Sequence, residues 1–199
     1  GWSPFGCPGS ISRRASRARH QRRALPRRRT NPESDVRRQP ASFRDRSGFL
    51  FTREGRLFRQ VNRSCQPDYD LLLSSGLYQE LVDRELLIPH SESSEAPAEP
   101  DLAYRVLEPE RIPFISYPYE WCFGQLKRAA LLTLEIQKRA LDRNLSLKDA
   151  SAYNVQFRGS QPVLIDTLSF ERFVEDRPWI AYRQFCQHFL APLALMALV

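Results

Sequence analysis

The chain has 199 residues, with 30 Lys and Arg against 23 Asp and Glu, a net charge of +7, and 42% apolar residues. This apolar content supplies the core of one domain of moderate size plus a tail, and excludes a chain that is unfolded throughout. Four scattered cysteines (Cys7, Cys65, Cys122, Cys186) and three dispersed histidines exclude a disulfide framework and a zinc cluster, and they fit a reducing cytoplasm.

The positive charge is concentrated at one end. Residues 1–40 hold eleven Arg against Glu33 and Asp35, a surplus of +9, which leaves −2 for the remainder. Residues 1–41 lack apolar periodicity and read as a disordered, Arg-rich leader. Its arginines suit a nucleic-acid or anionic-surface tail. No aromatic residues interleave them for base stacking, so nucleic acid is not the expected partner. The leader also lacks the apolar core of a signal peptide.

From residue 42 the pattern changes. Phe49–Phe51 and Leu57–Val61 flank Arg53-Glu54-Gly55 and predict a hairpin. Asp68 to Leu87 predicts a helix with an apolar face from Leu71, Leu72, Tyr78, Leu81 and Val82, and with Glu80 and Glu85 on a solvated face. Residues 91–101, rich in Ser, Glu, Pro and Ala, read as a flexible exposed loop. Tyr104–Leu107 and Phe114–Ser116 are strand candidates. The aromatic connector Tyr117-Pro118-Tyr119-Glu120-Trp121 leads into a helix expected over Phe123–Arg143, with Leu126, Ala130, Leu134, Gln137 and Leu141 along one face and Asn144 as a left-handed stop. Val155–Phe157 and Val163–Ile165 around Arg158-Gly159-Ser160 predict a second hairpin, and Pro178 opens a last helix on which His188 packs beside Phe185 and Phe189. The terminal apolar run, Phe189–Val199, is too short to cross a bilayer, so no membrane association is expected.

Chemistry concentrates between these last elements. Asp149 precedes Asn154 by five residues, and Asp166 ends an apolar strand twelve residues later. In phosphoryl transfer, one Asp accepts the proton of the substrate hydroxyl while an Asn and a second Asp hold Mg2+ against the nucleotide phosphates. Asp149 is thus the candidate catalytic residue, and Asn154 and Asp166 are the candidate metal ligands, because magnesium prefers hard oxygen donors. An alternative for the trio is an Asp cap, a loop Asn and a strand-end Asp.

Helix, loop with Asp and Asn, hairpin, then Asp resembles the C-terminal lobe of the protein-kinase-like fold, more the aminoglycoside-phosphotransferase branch than the eukaryotic kinases. The resemblance implies an α+β chain with a small sheet lobe (residues 42–116) and a helical lobe (residues 117–199, truncated), and it makes Mg2+ and ATP possible cofactors. It departs from that pattern in having no Gly-rich phosphate loop and no strand Lys, since the only lysines are Lys127, Lys138 and Lys148. Arg59 and Arg63 are the candidate substitutes for phosphate contact, though an Arg is not equivalent to a Lys in reach or shape. Tyr119 and Glu120 fall where the adenine would meet the connector.

A second resemblance spans residues 42 to about 197. The runs Ile112–Trp121, Leu147–Asn154, Ile165–Glu171 and Tyr182–Leu193 are similar to the N-terminal half of a bacterial family described as class I SAM-dependent methyltransferases, some labelled nodulation-related. It implies a methyltransferase domain beyond Val199, an unknown small-molecule substrate, and SAM as cofactor only where that domain follows. No segment here offers the glycine-rich turn after a strand that SAM binding needs. Met196 is the sole methionine, so a fragment is expected. No Gly-x-Ser-x-Gly elbow indicates a hydrolase.

Overall fold

The computed structural model describes residues 36–38 and 46–198, all within one compact unit, Pro32–Val199. Residues 1–35, which hold most of the Arg-rich leader, lie outside the described residues, as does Cys7. Arg37–Arg38, expected in the leader, instead form a short strand, β1, opposite Thr52 and Phe51.

The architecture is α+β. β1, β2 (Gly48–Arg53), β3 (Arg56–Asn62), β4 (His90–Glu92) and β5 (Ala103–Pro109) make an antiparallel sheet in the order β1-β2-β3-β5-β4. The expected hairpin is β2–β3. Its two turn residues, Glu54 at φ 52° and Gly55 at φ 77°, both take the left-handed conformation that a tight two-residue turn needs. Alternation along β3 sends Phe58 and Gln60 to one face and Leu57, Arg59 and Val61 to the other. Phe58 packs with Phe49, Phe51 and Val106. Val61 packs with Cys65, Tyr69, Leu107 and Leu168, so the second face meets the helical part of the molecule.

Between β3 and β4 the expected single helix is two, α1 (Gln66–Ser74) and α2 (Leu77–Asp83). Gly76, at φ 77°, breaks the run in a conformation that side chains resist. Leu72, Leu77, Leu81 and Leu87 then join the main core. Residues 91–101 are not the free loop expected. Ser91 and Glu92 belong to β4, buried Gln60 accepts the amide of Glu99 at 2.9 Å and donates to its carbonyl at 3.1 Å, and Arg53 holds Glu95 at 2.7 Å.

Phe114–Ser116 forms no strand. Pro113 and Pro118 remove ladder donors there, and the Ser116 amide is taken by the Gln156 side chain at 3.0 Å. Helix α3 (Phe123–Leu141) ends as expected at left-handed Asn144, φ 57°. Its buried face is Leu126, Ala129, Ala130, Thr133, Ile136, Gln137 and Ala140. Leu134 and Leu141, expected on it, are exposed at 43% and 41%. After α3, β6 (Leu145–Leu147) pairs with β9 (Phe170–Arg172), and β7 (Val155–Arg158) pairs with β8 (Gln161–Leu164) in the second expected hairpin. The last helical segment starts four residues after Pro178. It comprises α4 (Tyr182–Phe185), a π-helical turn (Cys186–Leu190) and α5 (Ala191–Ala197). Among the described residues no helix is long and apolar enough to cross a membrane.

Candidate functional site

Three short pieces of backbone meet where the sheet faces the helices. β6 delivers Asp149 on the loop that follows it, a one-turn 3-10 helix (Ala152–Asn154) delivers Asn154, and β8 ends just before Asp166. Both loops are braced by β-type contacts, because the Lys148 amide donates to the Ser169 carbonyl at 2.8 Å and the Ile165 amide to the Asn154 carbonyl at 2.8 Å.

Asp166 caps the 3-10 turn Thr167–Ser169. Its Oδ1 accepts from the Leu168 amide at 3.0 Å, and its Oδ2 accepts from the Ser169 hydroxyl at 2.7 Å. Arg59 reaches Oδ1 from β3 at 2.5 Å, and both side chains are largely buried, at 13% and 14% exposure. The Ser169 hydroxyl in turn accepts from Asn154 Nδ2 at 3.3 Å. Arg59, Asp166, Ser169 and Asn154 thus form one polar chain that crosses from the sheet to the helical part.

Asp149 stands beside this chain without joining it. Its Oδ1 accepts from the Ser151 amide at 2.9 Å, and among the described residues its Oδ2 has no hydrogen-bond partner. On the connector, Tyr119 stacks on Tyr117 at 5.5 Å with ring planes 3° apart and is 74% exposed. Glu120 turns back to accept the Tyr117 amide at 2.7 Å. Tyr119 lies within electrostatic range of Tyr153, on the Asp149–Asn154 loop. The structure therefore joins Arg59 to Asp166 directly and Asp166 to Asn154 through Ser169, leaves the Asp149 carboxylate outside that chain, and uses Glu120 as a local cap.

Glu80, expected on a solvated face, has a structural partner on another helix. Glu80 binds Arg139 at 2.7 Å and Arg143 at 3.0 Å, which ties α2 to α3. Lys148 reaches the Ser47 hydroxyl at 3.0 Å and lies 3.9 Å from Asp68. Near Arg59, His90 is held between two tyrosines, with Nε2 3.0 Å from the Tyr69 hydroxyl and its amide donating to the Tyr78 hydroxyl at 2.9 Å. Burial, and then the Arg59 charge, lower the His90 pKa to about 4. Burial likewise raises the Tyr69 phenol above its ordinary value.

Sequence reasoning missed Ser169, which connects both metal-ligand candidates, and missed the polar contacts of His188. His188 does neighbour the Phe185 and Phe189 helix face, but its Nδ1 points at the Asp149–Asn154 loop, 3.2 Å from the Ser151 hydroxyl and 3.2 Å from the Ala152 amide. The available signal was the four-residue step from Gln184 to His188, which puts two polar side chains on one helix face.

Mg2+ and ATP, the cofactors the kinase-like resemblance implies, would have to be held by residues that already have protein partners. Both Asp166 oxygens already accept from protein groups, so a metal there would share the carboxylate with Arg59, the Leu168 amide and the Ser169 hydroxyl. Among the described residues no three His, Cys, Asp or Glu side chains gather in a metal-binding group. The β2–β3 turn is a tight hairpin end carrying the Arg56–Glu108 pair, with no run of glycines to admit phosphate.

No protein-family model matches the chain. It is 38% identical over 161 residues to nodulation protein NoeA of Rhizobium meliloti (strain 1021), an alignment covering 77% of this chain and 32% of that protein. Among solved structures, vaccinia related kinase 3 aligns over 68% of this chain and 47% of its own, with a TM-score of 0.39 and 10% identity. The chain spans about a third of the length of the curated relative it matches, and over that span it is similar to a nodulation protein.

Proposed function

We propose that this chain is a kinase-like substrate-recognition module of a SAM-dependent methyltransferase-family protein, in which Asp149 and its loop bind a small molecule without phosphoryl transfer. The observation that carries the reading is the Arg59–Asp166 ion pair. It occupies with a protein cation the carboxylate that phosphoryl transfer would give to magnesium, while Asp149 keeps one carboxylate oxygen for a ligand. The order of elements supports the kinase-like part of the reading: an antiparallel sheet, helices between β3 and β4, the aromatic connector, then α3, the Asp149–Asn154 loop, the β7–β8 hairpin and Asp166. The resemblance of four long segments to the nodulation-related methyltransferase family supports the remainder. Methyl transfer and SAM binding are assigned to parts of that protein other than the residues described above.

A carboxylate held by one backbone amide and otherwise open suits a hydroxyl or ammonium donor on the ligand. Calorimetric titration tests this directly. Mg-ATP is expected to give no heat of binding and no rise in melting temperature, whereas a Mg-ATP-dependent rise of several degrees that disappears in Asp166→Asn would sink the reading in favour of a phosphotransferase. A hydroxyl- or amine-bearing ligand found by thermal-shift screening is expected to lose at least tenfold in affinity in Asp149→Asn, about 1.4 kcal/mol.

A further inference from the structure

We infer that the segment Trp179–His188 is a clamp that sets the backbone around Asp149, with Trp179, Gln184 and His188 as positioning residues. The inference deepens the recognition role proposed for Asp149 and rests on that reading for its consequence, though not for its geometry.

Three side chains of one segment take three backbone groups of one loop. The Trp179 indole donates to the Leu147 carbonyl at 2.7 Å, the Gln184 Oε1 accepts from the Ala150 amide at 2.8 Å, and the His188 Nδ1 accepts from the Ala152 amide at 3.2 Å. These contacts fall on both sides of Asp149, two residues before it, one after it and three after it. The Ser151 hydroxyl, which lies against the same His188 nitrogen, also accepts from the Tyr153 amide at 3.2 Å. Nothing in the clamp touches the Asp149 carboxylate itself. The β-type contacts at Lys148 and Asn154 hold only the two ends of the loop, and the stretch between them would otherwise sample several conformations, each carrying the carboxylate elsewhere. Fixing the flanking peptides limits the carboxylate to its own side-chain rotation, which is how a supporting shell holds a functional group to the tolerance that binding requires.

The contact pattern also fixes the chemistry of His188. A nitrogen that accepts an amide N–H carries no proton, so the clamp geometry requires the tautomer with its proton on Nε2. From Tyr182 the segment is helical, and its π-turn begins at Cys186, between the two acceptors. Single π-turns of this kind are common at functional sites. Gln184 and His188 face the loop while Phe185 and Phe189, one position on, are buried in the core. The clamp is thereby anchored by apolar packing on its far side.

Amide hydrogen exchange measured residue by residue, together with the 15N spectrum of the His188 ring, tests the inference on the whole chain. Ala150 and Ala152 are expected to exchange slowly, and the His188 Nδ1 resonance to be that of a bare, hydrogen-bond-accepting nitrogen. Gln184→Ala is expected to speed exchange at Ala150, and His188→Ala at Ala152, by about tenfold each, the loss of one hydrogen bond. Gln184→Glu and His188→Asn keep an acceptor oxygen and are expected to restore protection, which separates the clamp from general loss of fold. Fast exchange at both amides in the unsubstituted chain, or a protonated Nδ1, would overturn the inference. So would substitutions that leave exchange unchanged. Failure of the recognition reading would appear separately, as protected amides in a protein whose Asp149→Asn variant binds every screened ligand unchanged.

Discussion

Arg59 and Asp166 show how far two residues determine what a site can do. Each charge is largely withdrawn from water, and each is compensated by the other. Removing one leaves a buried charge alone, which costs on the order of 3 kcal/mol, while replacing both with apolar residues of similar volume is close to neutral. Arg59→Met is therefore expected to lower stability to denaturant by about that amount, with Arg59→Met combined with Asp166→Leu recovering most of it. Losses that simply add would show that the two residues do not act as a pair. His90 governs a different property. Its folded pKa of about 4 lies below the ordinary histidine value, because burial and the Arg59 charge both disfavour the imidazolium. The unfolded chain then binds the proton more readily, so His90 contributes stability that is fully present above about pH 6.5 and is lost as the pH falls through 4, by about 3 kcal/mol in all. Urea unfolding at pH 7 and pH 4.5 measures this slope, and His90→Gln is expected to flatten it.

At the level of elements, close approach and backbone hand carry the specificity. Gly48 opens β2 where a Cβ would strike the Gln60 carbonyl and come within 2.7 Å of the Leu168 side chain. The Gln60 obstacle is backbone and cannot swing away. Gly48→Ala is expected to cost about 2 kcal/mol, in the range of overpacked cores, and to loosen the β2–β3 edge beside the site. Gly76 has no such crowding, since a methyl group there would meet only the Arg143 guanidinium, at 3.5 Å, but its φ of 77° is left-handed. Gly76→Ala is expected to cost about 1 kcal/mol by strain alone. Chemical denaturation of the two variants separates the effects, since Gly48→Ala should also speed exchange of the strand amides and Gly76→Ala should not.

For the molecule as a whole, Leu168 bridges the cluster that joins the sheet to the helices, at 2% exposure. Leu168→Ala is expected to cost about 3 kcal/mol. Fluorescence of Trp121 and Trp179, which report on the helical core, is expected to part from far-ultraviolet dichroism on unfolding this variant, while the two coincide in the parent chain. Much of this organisation was legible beforehand. Both hairpins could be read because turn residues with left-handed freedom sat between apolar runs, and α3 could be read from its period and its Asn144 stop. The break at Gly76 was missed because the apolar spacing continues across it. The strand at Phe114–Ser116 failed because two prolines and one long-range bond from Gln156 outweighed β propensity. In the site, spacing singled out Asp149, Asn154 and Asp166, but spacing carries no information about partners. Arg59 as the companion of Asp166, Ser169 as the link to Asn154 and His188 as an acceptor depend on contacts between residues far apart in the chain, which only the folded structure supplies.

The interleaving of α1 and α2 with the main core also governs the order in which the chain can fold. Leu72, Leu77, Leu81 and Leu87 precede β4 and β5, yet they are buried against α3, β6 and β8, and Leu87 bridges to Leu164. A ribosome emitting this chain would release the whole sheet while those leucines still lacked their partners. The sheet carries its own apolar cluster, but the leucines of α1 and α2 have no cover until α3 to β8 emerge, so that face of the emerging chain is expected to be the one open to solvent and to chaperones.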